Sequence, residues 1–134
     1  MVDTSYLNTL QELENKYNVE LIKNEKVLFA EELPIFGDNK DRLLARDSEF
    51  TLTNKRIIIY NEGGYWIFDI ADDISFCTKI ESGRWFFKTV HFSITLKKEV
   101  FFNYGKNKLH GLHLYFKDEA IIKFEEIIDN LFNI

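Results

Sequence analysis

From Thr89 to Lys97 polar and apolar residues alternate without a break. Val90, Phe92, Ile94 and Leu96, with Phe86 before them, fall on one face of an extended segment, and Thr89, His91, Ser93, Thr95 and Lys97 fall on the other. Successive side chains of a strand point to opposite faces, so this segment is expected to be a strand with one face in a core and one in water. A strand of that kind belongs to an antiparallel sheet, and the flanking sequence supplies neighbours for it.

Residues 25–33 read as a first strand ended by Pro34, and residues 36–42 (FGDNKDR) are dense in turn formers and read as a loop. Residues 49–53, 56–60 and 65–70 form a meander, with turns at Asn54-Lys55 and at Asn61-Glu62-Gly63-Gly64. A short strand reaches from Ile74 toward Ile80, and Ser82-Gly83 turns the chain into the alternating strand, which Lys97-Lys98 ends. Residues 100–104 make a further strand, residues 105–108 turn, and Leu112, Leu114 and Phe116 alternate again.

Both ends carry helical periodicity. After Asp118, a suitable N-cap, Ala120, Ile121, Phe124, Ile127, Ile128, Leu131 and Phe132 recur at three and four residues, with Lys123, Glu125, Glu126 and Asp129 opposite them. Phe92, Ile94, Leu112, Leu114, Phe124 and Ile128 are expected to be buried together, with this helix against the strands. Tyr6, Leu10, Leu13 and Tyr17 space a narrower stripe over residues 4–17, which predicts a first amphipathic helix. With 134 residues and no internal repeat, one domain is expected: residues 1–24 as a helix and linker packed on a domain of residues 25–134. The 13 Phe, 6 Tyr and 2 Trp against 1 Pro favour a strand-rich core over a helical one.

Composition also narrows function. A net charge of −5 without a clear basic cluster speaks against a nucleic-acid partner. Met1 to Ser5 lack the basic start and apolar run of a signal peptide, and no segment approaches the ~18 apolar residues of a membrane span, so a cytoplasmic location is expected. The single cysteine, Cys77, has no internal disulfide partner and reads as a small buried apolar residue. The carboxylate pairs Glu31-Glu32, Asp72-Asp73 and Glu125-Glu126 are adjacent, which spreads their side chains instead of converging them on a substrate. His110 and His113 are expected on opposite faces of one strand and His91 on a wet face. No nucleophile, P-loop, dinucleotide or zinc-protease motif occurs. The expectation is a non-enzyme with no catalytic residues, no cofactor and no metal.

Leu52-Thr53-Asn54-Lys55-Arg56-Ile57-Ile58-Ile59-Tyr60 resembles the hairpin between the second and third strands of bacterial PH-like and GRAM-like domains. Ile67-Phe68-Asp69-Ile70 followed by Asp72-Asp73-Ile74-Ser75 is similar to a later stretch of the same family, although its proline is missing here. The resemblance covers residues 25–134. It implies an α+β fold, a PH-like bent antiparallel β-barrel of about seven strands capped by a C-terminal helix, to which this chain adds its N-terminal helix. It also implies a module that binds: a protein, a peptide or a second copy, or else an acidic lipid headgroup at the membrane. Two candidate surfaces follow. Trp85, Phe87 and Phe101 are placed outward where a strand is apolar on both faces, unless the first helix covers them. Lys40, Arg42 and Arg46 lie in the loop region where a headgroup would be held, but Asp38, Asp41 and Asp47 alternate with them and nearly cancel their charge.

Overall fold

In the computed structural model, residues 4–38, 43–62, 64–84, 87–102 and 107–132 are described, with the backbone alone for residues 84, 87, 88, 102 and 107. The strands are β1 (Val27–Asp38), β2 (Leu43–Thr53), β3 (Arg56–Asn61), β4 (Gly64–Asp69), β5 (Ile74–Arg84), β6 (Phe87–Phe102) and β7 (Asn107–Tyr115). They form one antiparallel sheet in the order β4-β3-β2-β1-β7-β6-β5. A short helix α1 (Ile70–Asp73) joins β4 to β5, and α2 (Asp118–Leu131) follows β7. Strands consecutive in sequence are neighbours in the sheet except β4 and β5, and β7 returns to pair with β1, from Ile35 opposite Tyr115 to Asp38 opposite Leu112. β4 and β5 are the two ends of the ladder.

The alternation of the sixth strand holds: Phe92, Ile94 and Leu96 are buried and pack with Leu112 and Leu114 of β7. Over them lies α2, whose Ala120, Phe124, Ile127, Ile128 and Leu131 are buried at the helical spacing read from the sequence. Its Phe124 ring meets Phe29, Phe50, Phe92 and Phe116 at centroid distances of 5.4, 5.5, 4.8 and 5.1 Å. The six residues expected to share a core do so.

Several local expectations are corrected. The first helix is a single 3-10 turn, Tyr6–Thr9, and the chain from Leu10 to Lys26 is irregular. Its backbone groups are taken by tertiary partners: Leu13 N–H donates to the Val27 carbonyl, and the Lys26 ammonium donates to the carbonyls of Asn8 and Leu10. The Asn15 side chain donates to the Val19 carbonyl and accepts from the Val19 N–H, a local alternative to helical bonding. Asn18 and Asn24, at φ 54° and 63°, turn the segment.

Pro34 does not end β1, which runs on to Asp38. The ladder to β2 passes from Leu33 opposite Ser48 to Ile35 opposite Arg46, and Asp47 between them is left-handed at φ 51°. The register is unchanged across Pro34, and the left-handed Asp47 backbone is the local departure opposite a residue without an N–H. Ser82-Gly83 is strand, with pairing continuing to Arg84 opposite Phe87. Lys97-Lys98 does not end β6 but sits in a register shift between Thr95 and Val100. The same irregularity resets the alternation of β7, because Leu109 and Leu112, three apart, are both fully buried. His110 and His113 are therefore not sent to opposite faces by simple parity.

Candidate functional site

The hairpin that carries the family resemblance is a clamp on the N-terminal segment. Asn54 Oδ1 accepts from the Lys26 N–H, and Asn54 Nδ2 donates to Asn8 Oδ1 and the Asn24 carbonyl. Thr53 Oγ1 accepts from the N–H groups of Lys55 and Arg56 and donates to Glu25 at 2.6 Å. Arg56 meets the Glu25 carboxylate with Nε at 2.8 Å and Nη2 at 2.6 Å, and the Glu25 side chain is 0% exposed. Burial alone would raise the Glu25 carboxyl, but hydrogen bonds from Arg56, Thr53 and the Ile22 N–H, with the Arg56 charge, hold it below the ordinary carboxylate range. Arg56 Nη2 and Lys55 Nζ also donate to the carbonyls of Glu20 and Lys23. These groups are fully occupied in holding the chain, so their chemistry is structural, as the motif implies.

The two surfaces suggested by the sequence lie largely outside the described residues. Trp85, Lys40 and Arg42 lie outside the described residues, as does the side chain of Phe87. Phe101 is 58% exposed, with the Lys108 ammonium 5.9 Å from its ring centroid. Phe87 begins β6 and Phe101 stands near its end, and at about 3.3 Å per residue their backbones are far beyond side-chain contact. Arg46 is exposed on β2 opposite Ile35.

His91, expected on a wet face, is only 8% exposed. Its ring stacks on Tyr115 at 4.6 Å and 23° and lies 4.8 Å from His113. The reason is tertiary: β7 pairs with both β6 and β1, so the face opposite the core is crowded in the middle of the sheet. His110 instead approaches Glu99 at 3.7 Å. Among the described residues no three His, Cys, Asp or Glu side chains are grouped to hold a metal ion. Cys77 is buried in the core, which pushes its thiol well above the usual range. Folded protein is therefore expected to resist a thiol reagent at pH 8 and to react on addition of denaturant; rapid stoichiometric labelling of the native state would contradict this burial.

The surface that stands out is at the β4 end of the sheet. Residues 64–68 (GYWIF) carry no charge, and Trp66 and Phe68 turn to the core side, where Trp66 meets Phe36 edge-on at 5.8 Å. Tyr65 and Ile67 are 63% and 49% exposed, beside exposed Tyr60 and Ile22. Tyr60 and Tyr65 rings lie 4.6 Å apart. A groove of about 260 Å³ runs between Ile22 and the Tyr65–Ile67 face.

No family model, no curated protein and no solved structure matches this chain. The site must therefore be read from its own chemistry.

The other end of the sheet is built differently. β5 carries Lys79 and Glu81 in mid-strand, and Lys79 pairs with Glu125 of α2 while Phe76 meets Phe132 at 5.9 Å. Charged side chains and a covering helix are the usual protections of an edge strand, and β4 has neither in residues 64–68. The signal was present in the sequence: four consecutive uncharged residues, Tyr65 to Phe68, apolar on both faces, bounded by Gly64 and Asp69.

Proposed function

We propose that this chain is a non-enzymatic binding module of PH-like architecture that receives an extended segment of a protein along β4. The PH-like part of the reading is supported by the strand order, by the terminal helix over the core and by the Leu52 to Tyr60 hairpin. The binding part is carried by one observation, the uncharged and exposed β4 end of the sheet. A strand added there gains main-chain hydrogen bonds from the edge, while alternate side chains, Tyr65 and Ile67, select its residues. Headgroup binding has less support, because the net charge is −5 and Asp38, Asp41 and Asp47 alternate in sequence with Lys40, Arg42 and Arg46.

Immobilised protein, its Ile67→Lys variant and an Ile122→Lys control on exposed α2 surface test this. Proteins retained from a lysate of the source organism by the parent and the control are expected to be lost from Ile67→Lys. Equal retention by all three would remove β4 from the reading. Sedimentation with vesicles is expected to be the same with and without anionic lipid, and a strong anionic dependence would favour the membrane role.

A further inference from the structure

We infer that the segment received by β4 is β4 of a second copy of this chain, the two strands pairing antiparallel about a two-fold axis at Trp66. The inference rests on the β4 reading above and names its partner. Directly opposed residues of an antiparallel pair share a face, and a slip of one residue exchanges the faces. Only registers that oppose Tyr65 and Ile67 to one another, or each to itself, keep the exposed face continuous across the junction.

Three two-fold centres satisfy that condition, at Tyr65, Trp66 and Ile67. Centring on Tyr65 opposes Ile67 to position 63, before the strand begins, and centring on Ile67 opposes Tyr65 to the Asp69 carboxylate. Centring on Trp66 sets Tyr65 against the second copy's Ile67, and Ile67 against the second copy's Tyr65. The pairing of an aromatic with a β-branched residue, favourable across strands, is thus made twice. The strand is complementary to itself in this register, and symmetry closes the assembly at two copies.

Charge supports the same occupant. Two chains of net charge −5 repel one another, so close contact costs least where carboxylates are fewest, and the groove beside β4 is lined by one acidic residue, Glu20, together with Arg56. Residues 64–68 are such a place, and Asp69 at the strand's end lies opposite Arg56 of its own β3. One short strand with its flanking Tyr60 and Ile22 makes an interface at the small end of the range, so association is expected to be reversible.

Sedimentation velocity of the full chain over a micromolar concentration series is expected to show a monomer–dimer equilibrium. Ile67→Lys should raise the dissociation constant about tenfold or more while circular dichroism stays unchanged. Register is read separately by mixing Tyr65→Cys protein with Ile67→Cys protein under mild oxidation. Opposed Cα atoms about 4.5–5.5 Å apart are within disulfide reach, so the mixture should cross-link well beyond either variant alone. A monomeric mass at high micromolar concentration overturns the self-pairing, as does a dimer indifferent to Ile67→Lys or cross-linking no greater in the mixture. A monomer whose retained proteins are still lost on Ile67→Lys overturns self-pairing alone and leaves β4 as a site for a foreign strand.

Discussion

Phe124→Ala is expected to lower the free energy of unfolding by about 3–5 kcal/mol. The ring is 1% exposed and is met by four phenylalanines from β1, β2, β6 and the chain just after β7. Its removal takes away transfer free energy and also leaves a hole that four rigid rings cannot readily close. The contacts with Phe50 and Phe92 are edge-to-face, an arrangement that adds stabilisation beyond the area it buries. Urea unfolding should show the loss as a lower midpoint with an unchanged slope. Phe101→Ala, by contrast, removes an exposed ring and should change stability by no more than about 0.5 kcal/mol. A small effect of Phe124→Ala would mean that α2 is not seated as described.

Arg56→Met is expected to cost about 3–5 kcal/mol, since it leaves the buried Glu25 carboxylate without its cation. Replacing both, Glu25→Leu with Arg56→Met, should restore much of that loss, because an apolar pair has no charge to desolvate. The pH dependence gives an independent reading. Glu25 titrates lower in the folded chain than in the unfolded one, so its contribution is complete above the unfolded carboxylate value of about 4.3 and fades as pH falls through the folded value. In Arg56→Met, burial without the cation favours the protonated acid, so this contribution should shrink or reverse sign. Urea midpoints of parent and variant between neutral and acid pH would show the two slopes. Parallel slopes would mean that the pair does not hold the N-terminal segment to the hairpin.

Legibility in the sequence followed how local the controlling physics was. The alternation around Phe92 and the three-and-four spacing around Phe124 report directly which face of each element is apolar, and both elements and their shared core stand where that pattern put them. The stripe of Tyr6, Leu10, Leu13 and Tyr17 had the same spacing and made only a single 3-10 turn, Tyr6–Thr9. A narrow stripe gains little by burial, and here the Lys26 ammonium takes the carbonyls of Asn8 and Leu10 while the Val27 carbonyl takes the Leu13 N–H. Pro34 and Lys97-Lys98 read as stops because a proline or a charge pair interrupts a strand considered alone. Within a sheet, a left-handed Asp47 opposite Pro34 and a register shift around Lys97-Lys98 absorb them.

By itself the sequence determined the strand-rich class, the meander from β2 to β4, the terminal helix with its buried face, the burial of Cys77 and the structural character of the Thr53-Asn54 turn. All of these depend on side-chain period and turn chemistry, which act within a few residues. The tertiary structure alone decided which strands are the ends of the sheet, because strand order is set by the return of β7 to β1 across most of the chain. That order buries His91 beneath its neighbours and leaves Tyr65 and Ile67 uncovered at an edge without protecting charge, while the unbroken run of β6 past Lys97-Lys98 parts Phe87 from Phe101. An edge is defined by the absence of a neighbour, and a local pattern records a residue's own face but not whether another strand will lie beside it.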